Sequence, residues 1–209
     1  DKSFAGGNAL NTSLMWKYLA KDNEVAVITC LGNDENGEYI FNIFKNAHIN
    51  TEKVYFKDGR TTTNQLRVDK NGERFGIPGT WQDGVNEAFD LSDDDIIWLS
   101  EFDAVSITAN NKNFPKLIET RKNIKFLAVD YLDVENKIEV EKTIEYPDII
   151  FIASRKEFLD YYQKLSDTYK KLVVATLGAD GSCAFKDGKR FYQKAIEIPN
   201  LVDTTGCGD

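Results

Sequence analysis

Four apolar runs in the second half of the chain set its organisation: Asp103–Thr108, Lys125–Asp130, Asp148–Ala153 and Leu172–Leu177. Each is short and rich in Val, Ile, Leu and Phe, the composition of a strand buried on both faces. Stretches of helical pattern separate them, near Phe114–Arg121, Glu135–Ile144 and Arg155–Thr168. This rhythm predicts a mostly parallel sheet covered by helices on both faces, with ligands gathering at the carboxyl ends of the strands. After the last run, Ser182 to Gln193 reads as a hairpin turning through Lys186-Asp187-Gly188-Lys189.

The first half obeys the same rule and then breaks it. Leu10, Leu14 and Tyr18 recur at helical spacing behind Gly6-Gly7, which predicts an amphipathic helix. Glu24–Leu31, the polar turn Gly32–Gly37 and the amphipathic segment Glu38–Ala47 form a strand, turn and helix, with Gly32, Asp34 and Gly37 in structural roles. Lys53–Phe56, Thr61–Val68 and Arg74–Ile77 then follow as short β runs without helices, the last two joined by the turn Asp69-Lys70-Asn71-Gly72. They predict a small β excursion over about 53–77. Ser92 with Asp93, Asp94 and Asp95 opens a short helix through Ile96, Ile97 and Leu99; acids at a helix start explain the three aspartates better than a metal does.

Composition narrows the function. A chain of 209 residues fits one domain, 1–209. A net charge of −8 argues against nucleic-acid or anionic-membrane partners, and any phosphate ligand would have to be met by backbone amides and a metal ion. Cys30, Cys183 and Cys207 are odd in number and far apart, as reduced thiols of a cytoplasmic protein would be. No apolar run reaches spanning length and no signal peptide is visible. The single histidine, His48, rules out a multi-histidine zinc site within the chain and reads as a basic group at a helix C-terminus.

Four stretches carry candidate chemistry. Asp203-Thr204-Thr205-Gly206-Cys207-Gly208-Asp209 suits a turn whose amides face an anion, with Asp209 placed to take a proton from an attacking hydroxyl, although Gly-rich turns are commonly only turns. Gly7 and Asn11 lie four apart, on one side of a helix start. Ser154-Arg155-Lys156-Glu157 has the form of a capping box. Thr176-Leu177-Gly178-Ala179-Asp180-Gly181 is a Gly-containing turn after a strand, without the lysine of a Walker A loop. Asp130, ending a strand, is a weaker polar candidate.

In this order and on this alternation, the stretches resemble the PfkB, or ribokinase-like, family of carbohydrate kinases. The resemblance implies a three-layer α/β fold with a small β lid, and ATP and Mg2+ as cofactors. It implies that Asp209 is the catalytic base and that the amides of Gly206, Cys207 and Gly208 form the anion hole, Cys207 standing where alanine is usual. Gly7, Asn8 and Asn11 would bind the sugar, with Arg74 reaching it from the lid beside Arg67 and Phe75. Thr176, Gly178 and Gly181 would line the nucleotide, and Glu157 would act on magnesium through water; Ser154 departs from the Asn usual there. Phe4–Asn11, Arg74-Phe75-Gly76 with Asp83-Gly84-Val85, and Leu91-Ser92 through Trp98-Leu99 resemble the branch that phosphorylates fructosamines such as fructoselysine. A kinase for fructose, ribose or a sugar acid is the nearest alternative, and a catalytically silent sugar or nucleotide sensor the alternative of another class. Family members carry a further strand before the first motif and helices after the last, so the chain reads as incomplete at both ends. A homodimer through the lid is also implied.

Overall fold

The computed structural model describes residues 3–70, 74–133, 137–197 and 199. They divide between two units, one of the described residues up to Asp90 together with Pro199, the other from Leu91 to Glu197.

In the first unit, α1 (Asn8–Leu19) precedes β1 (Ala26–Gly32), α2 (Glu35–Asn46) and β2 (Asn50–Lys57), and β1 pairs parallel with β2 across α2. Leu10, Val27, Phe44 and Ile49 form the core, with Leu14, Ile43 and Val54 packed against it. The expected apolar face of α1 is only partly realised: Tyr18 is 70% exposed, while Ser13 is buried with its hydroxyl donating to the Leu10 carbonyl at 2.9 Å. Eight residues advance an α-helix by about 80° beyond two full turns, so Tyr18 has rotated off the face that Leu10 defines.

The Asp34 carboxylate caps α2 by accepting from the Gly37 amide at 2.8 Å. At its other end, the His48 amide donates to the Lys45 carbonyl and the Ile49 amide to the Phe44 carbonyl, each at 3.0 Å, with His48 left-handed at φ 56°. This is a Schellman ending, and the buried Phe44 and Ile49 supply its hydrophobic contact.

The parallel pairing of β2 corrects one boundary. Lys53–Phe56 belong to this strand–helix–strand unit, and the excursion begins only after Lys57. It consists of β3 (Leu66–Val68) and β4 (Arg74–Gly76), antiparallel with Val68 opposite Arg74, and a bridge between Thr63 and Gln82 closes its base.

The second unit opens with α3 (Asp93–Glu101), where Ser92 and Asp95 form a reciprocal capping box. Its sheet runs β5 (Val105–Thr108), β6 (Leu127–Asp133), β7 (Ile149–Ala153), β8 (Leu172–Thr176), β9 (Ser182–Lys186), β10 (Lys189–Gln193) in spatial order. The first four are parallel; β9 and β10 return antiparallel, and Asp187 and Gly188 turn the hairpin with φ of 51° and 74°. Parallel strands added in one direction through right-handed crossovers put their connecting helices on one face. Accordingly α4 (Phe114–Glu119) and α5 (Lys137–Thr143) both reach Tyr131 of β6, and α6 (Leu159–Tyr169) reaches Phe185 of β9. The Phe114 ring meets Tyr131 edge-on at 6.1 Å, Thr143 shares a 2.6 Å hydrogen bond with the Tyr131 hydroxyl, and Tyr162 lies 6.3 Å from Phe185. Leu127, Val129, Ile150, Ile152, Val173, Ala175 and Cys183 share that buried face.

Candidate functional site

The candidate residues of the first unit sit where α1 begins. Gly7 precedes the helix with φ 102° and ψ 144°, a conformation that a side chain opposes. A Cβ there would meet nothing within 4 Å, so the backbone is open on that side. The Asn11 amide closes the first turn onto the Gly7 carbonyl at 3.0 Å, and Asn8 and Asn11 are half-buried one turn apart. No acidic side chain occupies this first turn and no side chain caps it. Open backbone beside two carboxamides, each donor and acceptor, matches the needs of a polyhydroxylated ligand. Arg74 lies in β4 opposite Val68, and the neighbouring Arg67 guanidinium stands over the Phe75 ring at 6.0 Å.

In the second unit, Thr176, Gly178, Gly181 and Glu157 come together at the carboxyl ends of β7 and β8, where Ala153 is in register with Thr176. The chain turns through Gly178 (φ 59°) and Gly181 (φ 93°), and the Leu177 amide donates to the Gly181 carbonyl at 2.7 Å. A Cβ on Gly178 would point into open space, whereas one on Gly181 would overlap the Gln193 carbonyl oxygen and stand 2.7 Å from the Ala195 nitrogen. Gly181 therefore holds the turn against the strand that follows β9, and Gly178 presents its backbone outward.

The turn carrying Glu157 lies beside this one. The Ser154 amide donates to the Thr176 carbonyl at 2.8 Å, and Lys156 Nζ pairs with Asp180 Oδ1 at 2.7 Å. The expected capping box is not formed. A 3-10 turn, Lys156–Phe158, intervenes before α6, neither start has a side-chain cap, and the Ser154 hydroxyl donates instead to the Tyr162 hydroxyl at 3.2 Å. The preceding strand points Ser154 at the helix it would have capped. Burial pushes the Tyr162 phenol above its ordinary value, against the opposing effect of Ser154, so it stays a neutral hydroxyl rather than a base.

Sequence reasoning missed two features at this end of the sheet. The Lys156–Asp180 pair ties both turns together, although its exposure limits its worth to well under about 1 kcal/mol. Leu132 holds a left-handed φ of 68° at an irregularity in the β6–β7 pairing, its amide donating to Asp130 Oδ1 at 2.8 Å. No glycine marks that bulge; an aspartate two residues upstream was the one available sign.

Among the described residues, no group of three or more His, Cys, Asp or Glu is assembled to hold a metal ion. The Glu157 side chain is 62% exposed and stands 4.0 Å from Arg155. One exposed carboxylate fits a magnesium ion that arrives on phosphates with its waters, not a protein-built cage. Cys30 and Cys183 are buried, and burial raises both thiols, which makes them poor nucleophiles. Asp203–Asp209, with Asp209, Gly206, Cys207 and Gly208, lie outside the described residues. No described helix is long and apolar enough to cross a membrane.

Comparison with known proteins bears on the family and the fold. The family model described as "pfkB family carbohydrate kinase" matches residues 2–209. The chain is 28% identical to the fructoselysine 6-kinase of Escherichia coli K12, covering all of this chain and 79% of that enzyme. It is 23% identical to the fructosamine kinase FrlD of Bacillus subtilis 168, covering 99% and 73%. Among solved structures, Arabidopsis thaliana ribokinase complexed with ribose and ATP superposes with a TM-score of 0.78 at 20% identity, over 99% of this chain and 72% of that one.

Proposed function

Because the chain belongs to the pfkB family of carbohydrate kinases, phosphotransferases with an alcohol group as acceptor, we propose that it moves the γ-phosphoryl group of ATP to the primary 6-hydroxyl of a fructosamine such as fructoselysine. The observation that carries the substrate class is the similarity to fructoselysine 6-kinase over the whole of this chain and 79% of that enzyme. The ribokinase that shares the fold is complexed with ribose and ATP, which supports ATP as donor.

In this reading the Gly7 backbone and the Asn8 and Asn11 side chains take the sugar hydroxyls, and the β3–β4 hairpin is a lid that brings Arg74 to them. Thr176, Gly178 and Gly181 lie along the nucleotide. The 6-hydroxyl oxygen attacks the γ-phosphorus, Asp209 accepts its proton, and the bond to the β-phosphate oxygen breaks to release ADP. The amides of Gly206, Cys207 and Gly208 donate to the transferring group, where one such donor is worth roughly 3 kcal/mol and general-base catalysis on the order of 10²–10⁴-fold. Glu157 would hold a magnesium ion through water, and the ion would supply charge neutralisation at the phosphates. Exposed Leu66, Val68, Phe75 and Ile77 support pairing of two copies through the lid. The enzyme works in the cytoplasm, where its thiols stay reduced.

The test is a screen of the intact protein with ATP and Mg2+ against fructoselysine, other fructosamines, fructose and ribose. Phosphorylation of a fructosamine with the highest kcat/KM is expected. Preference for fructose or ribose sinks the substrate assignment, and no phosphorylation of any sugar points to the silent sensor.

A further inference from the structure

The base of the β3–β4 hairpin is built more tightly than a surface excursion requires. Thr61, where the chain leaves for the hairpin, is 6% exposed. Its hydroxyl donates to Asp34 Oδ1 at 2.7 Å and accepts from the Gly32 amide at 3.0 Å, while its own amide donates to Asp34 Oδ2 at 2.7 Å. The carboxylate that caps α2 thus also grips the root of the hairpin. The outgoing and returning strands are laced together: the Val85 amide donates to the Arg60 carbonyl at 3.0 Å, Thr63 and Gln82 exchange backbone bonds at 3.1 and 2.9 Å, and Arg60 Nε donates to the Asp83 carbonyl at 2.8 Å. Backbones meet without room for side chains. A Cβ on Gly32 would stand 2.6 Å from the Thr61 nitrogen, and one on Gly84 2.7 Å from the Arg60 carbonyl oxygen.

Beyond this clasp the hairpin has little hold. β3 is exposed along its length, as are Phe75, Ile77 and Trp81. A two-stranded ribbon of three-residue strands has no independent stability, so its direction is set at its root.

We propose that Asp34 and Thr61 are positioning residues: they clamp the root of the hairpin to the β1–α2 junction and so fix where the hairpin delivers its side chains to the sugar. The clamp acts on the sugar through the hairpin and touches neither substrate. Its role in sugar binding rests on the lid reading above; the clamp itself does not.

The experiment uses the intact protein with Thr61→Val, which keeps shape and removes the hydroxyl, Asp34→Asn, and Thr61→Ser as the conservative control. Trypsin cleavage after Arg67, Lys70 and Arg74 without any substrate reads the hairpin; the KM values for sugar and ATP read the consequence. Expected are cleavage roughly tenfold faster in Thr61→Val at an unchanged rate elsewhere, a sugar KM raised about tenfold, an ATP KM within about twofold, and wild-type behaviour in Thr61→Ser. Cleavage at the wild-type rate in both Thr61→Val and Asp34→Asn overturns the clamp. Faster cleavage with an unchanged sugar KM, or with both KM values raised equally, overturns its positioning role. If the wild type phosphorylates no sugar, the lid reading falls and the cleavage arm still decides the clamp. A variant that fails to fold is recognised by cleavage throughout, and the decision then passes to the other.

Discussion

Two glycines in one turn offer a controlled comparison, because Gly178 and Gly181 both have left-handed φ yet differ in what a side chain would meet. Gly178→Ala places a methyl in open space at φ 59°, so only backbone strain opposes it, about 1–2 kcal/mol. Gly181→Ala, at φ 93° and ψ −131°, lies outside the left-handed helical well, so its strain is larger, and it also drives its methyl into the backbone of Gln193–Ala195, where overpacking adds roughly 1–3 kcal/mol. In a chain of this length each kcal/mol lowers Tm by about 2–4 °C. Gly178→Ala is thus expected to lose a few degrees and Gly181→Ala roughly 5–15 °C, read by thermal unfolding followed by circular dichroism. Kinetics should run the other way. If the outward backbone of Gly178 lies along the nucleotide, its methyl weakens ATP binding at least about fivefold, a cost of about 1 kcal/mol, with the sugar KM unchanged. A Gly181→Ala protein that melts with the wild type refutes the packing argument. A Gly178→Ala enzyme with wild-type ATP KM refutes the nucleotide assignment.

Asp209→Asn keeps size but removes the proton acceptor, so turnover should fall by roughly 10²-fold or more while both substrates still bind; steady-state kinetics at the wild-type rate would remove Asp209 as the base. Asn11→Ala, by contrast, should raise the sugar KM more than the ATP KM, and equal effects on both would take Asn11 out of the sugar site. Partial burial works to raise the Asp34 carboxyl, but hydrogen bonds from Thr61 and Gly37 outweigh it and hold the group below its ordinary value. A lowered folded-state pKa makes its contribution fully present above about pH 4 and lost as pH falls through the folded value. Acid-unfolding curves below pH 4 should therefore be shallower in Asp34→Asn, and identical slopes would refute the linkage. His48→Gly should stabilise by up to about 1 kcal/mol, since glycine takes the left-handed position that ends α2 without strain; a lower midpoint in urea would contradict it.

The sequence by itself determined the features whose causes lie within a few residues. The four parallel strands are legible because each apolar run is continuous and bounded, the Asp187-Gly188 turn because two left-handed positions in succession have a recognisable composition, and the α3 start because Ser92 and Asp95 satisfy each other across one turn. Its motif order also identified the family.

Only the tertiary structure decided what depends on distant partners. That Lys53–Phe56 join β1 rather than the hairpin follows from parallel pairing across α2, which local β propensity does not encode. Ser154 has the spacing of a cap, but Tyr162 takes its hydroxyl. Leu132 is left-handed because the Asp130 carboxylate and the neighbouring strand outweigh its preference. Asp34 reads locally as a helix cap and only that; its second task is to hold Thr61, 27 residues away, and its strength comes from the folded chain bringing an amide and a hydroxyl to the oxygens it has left.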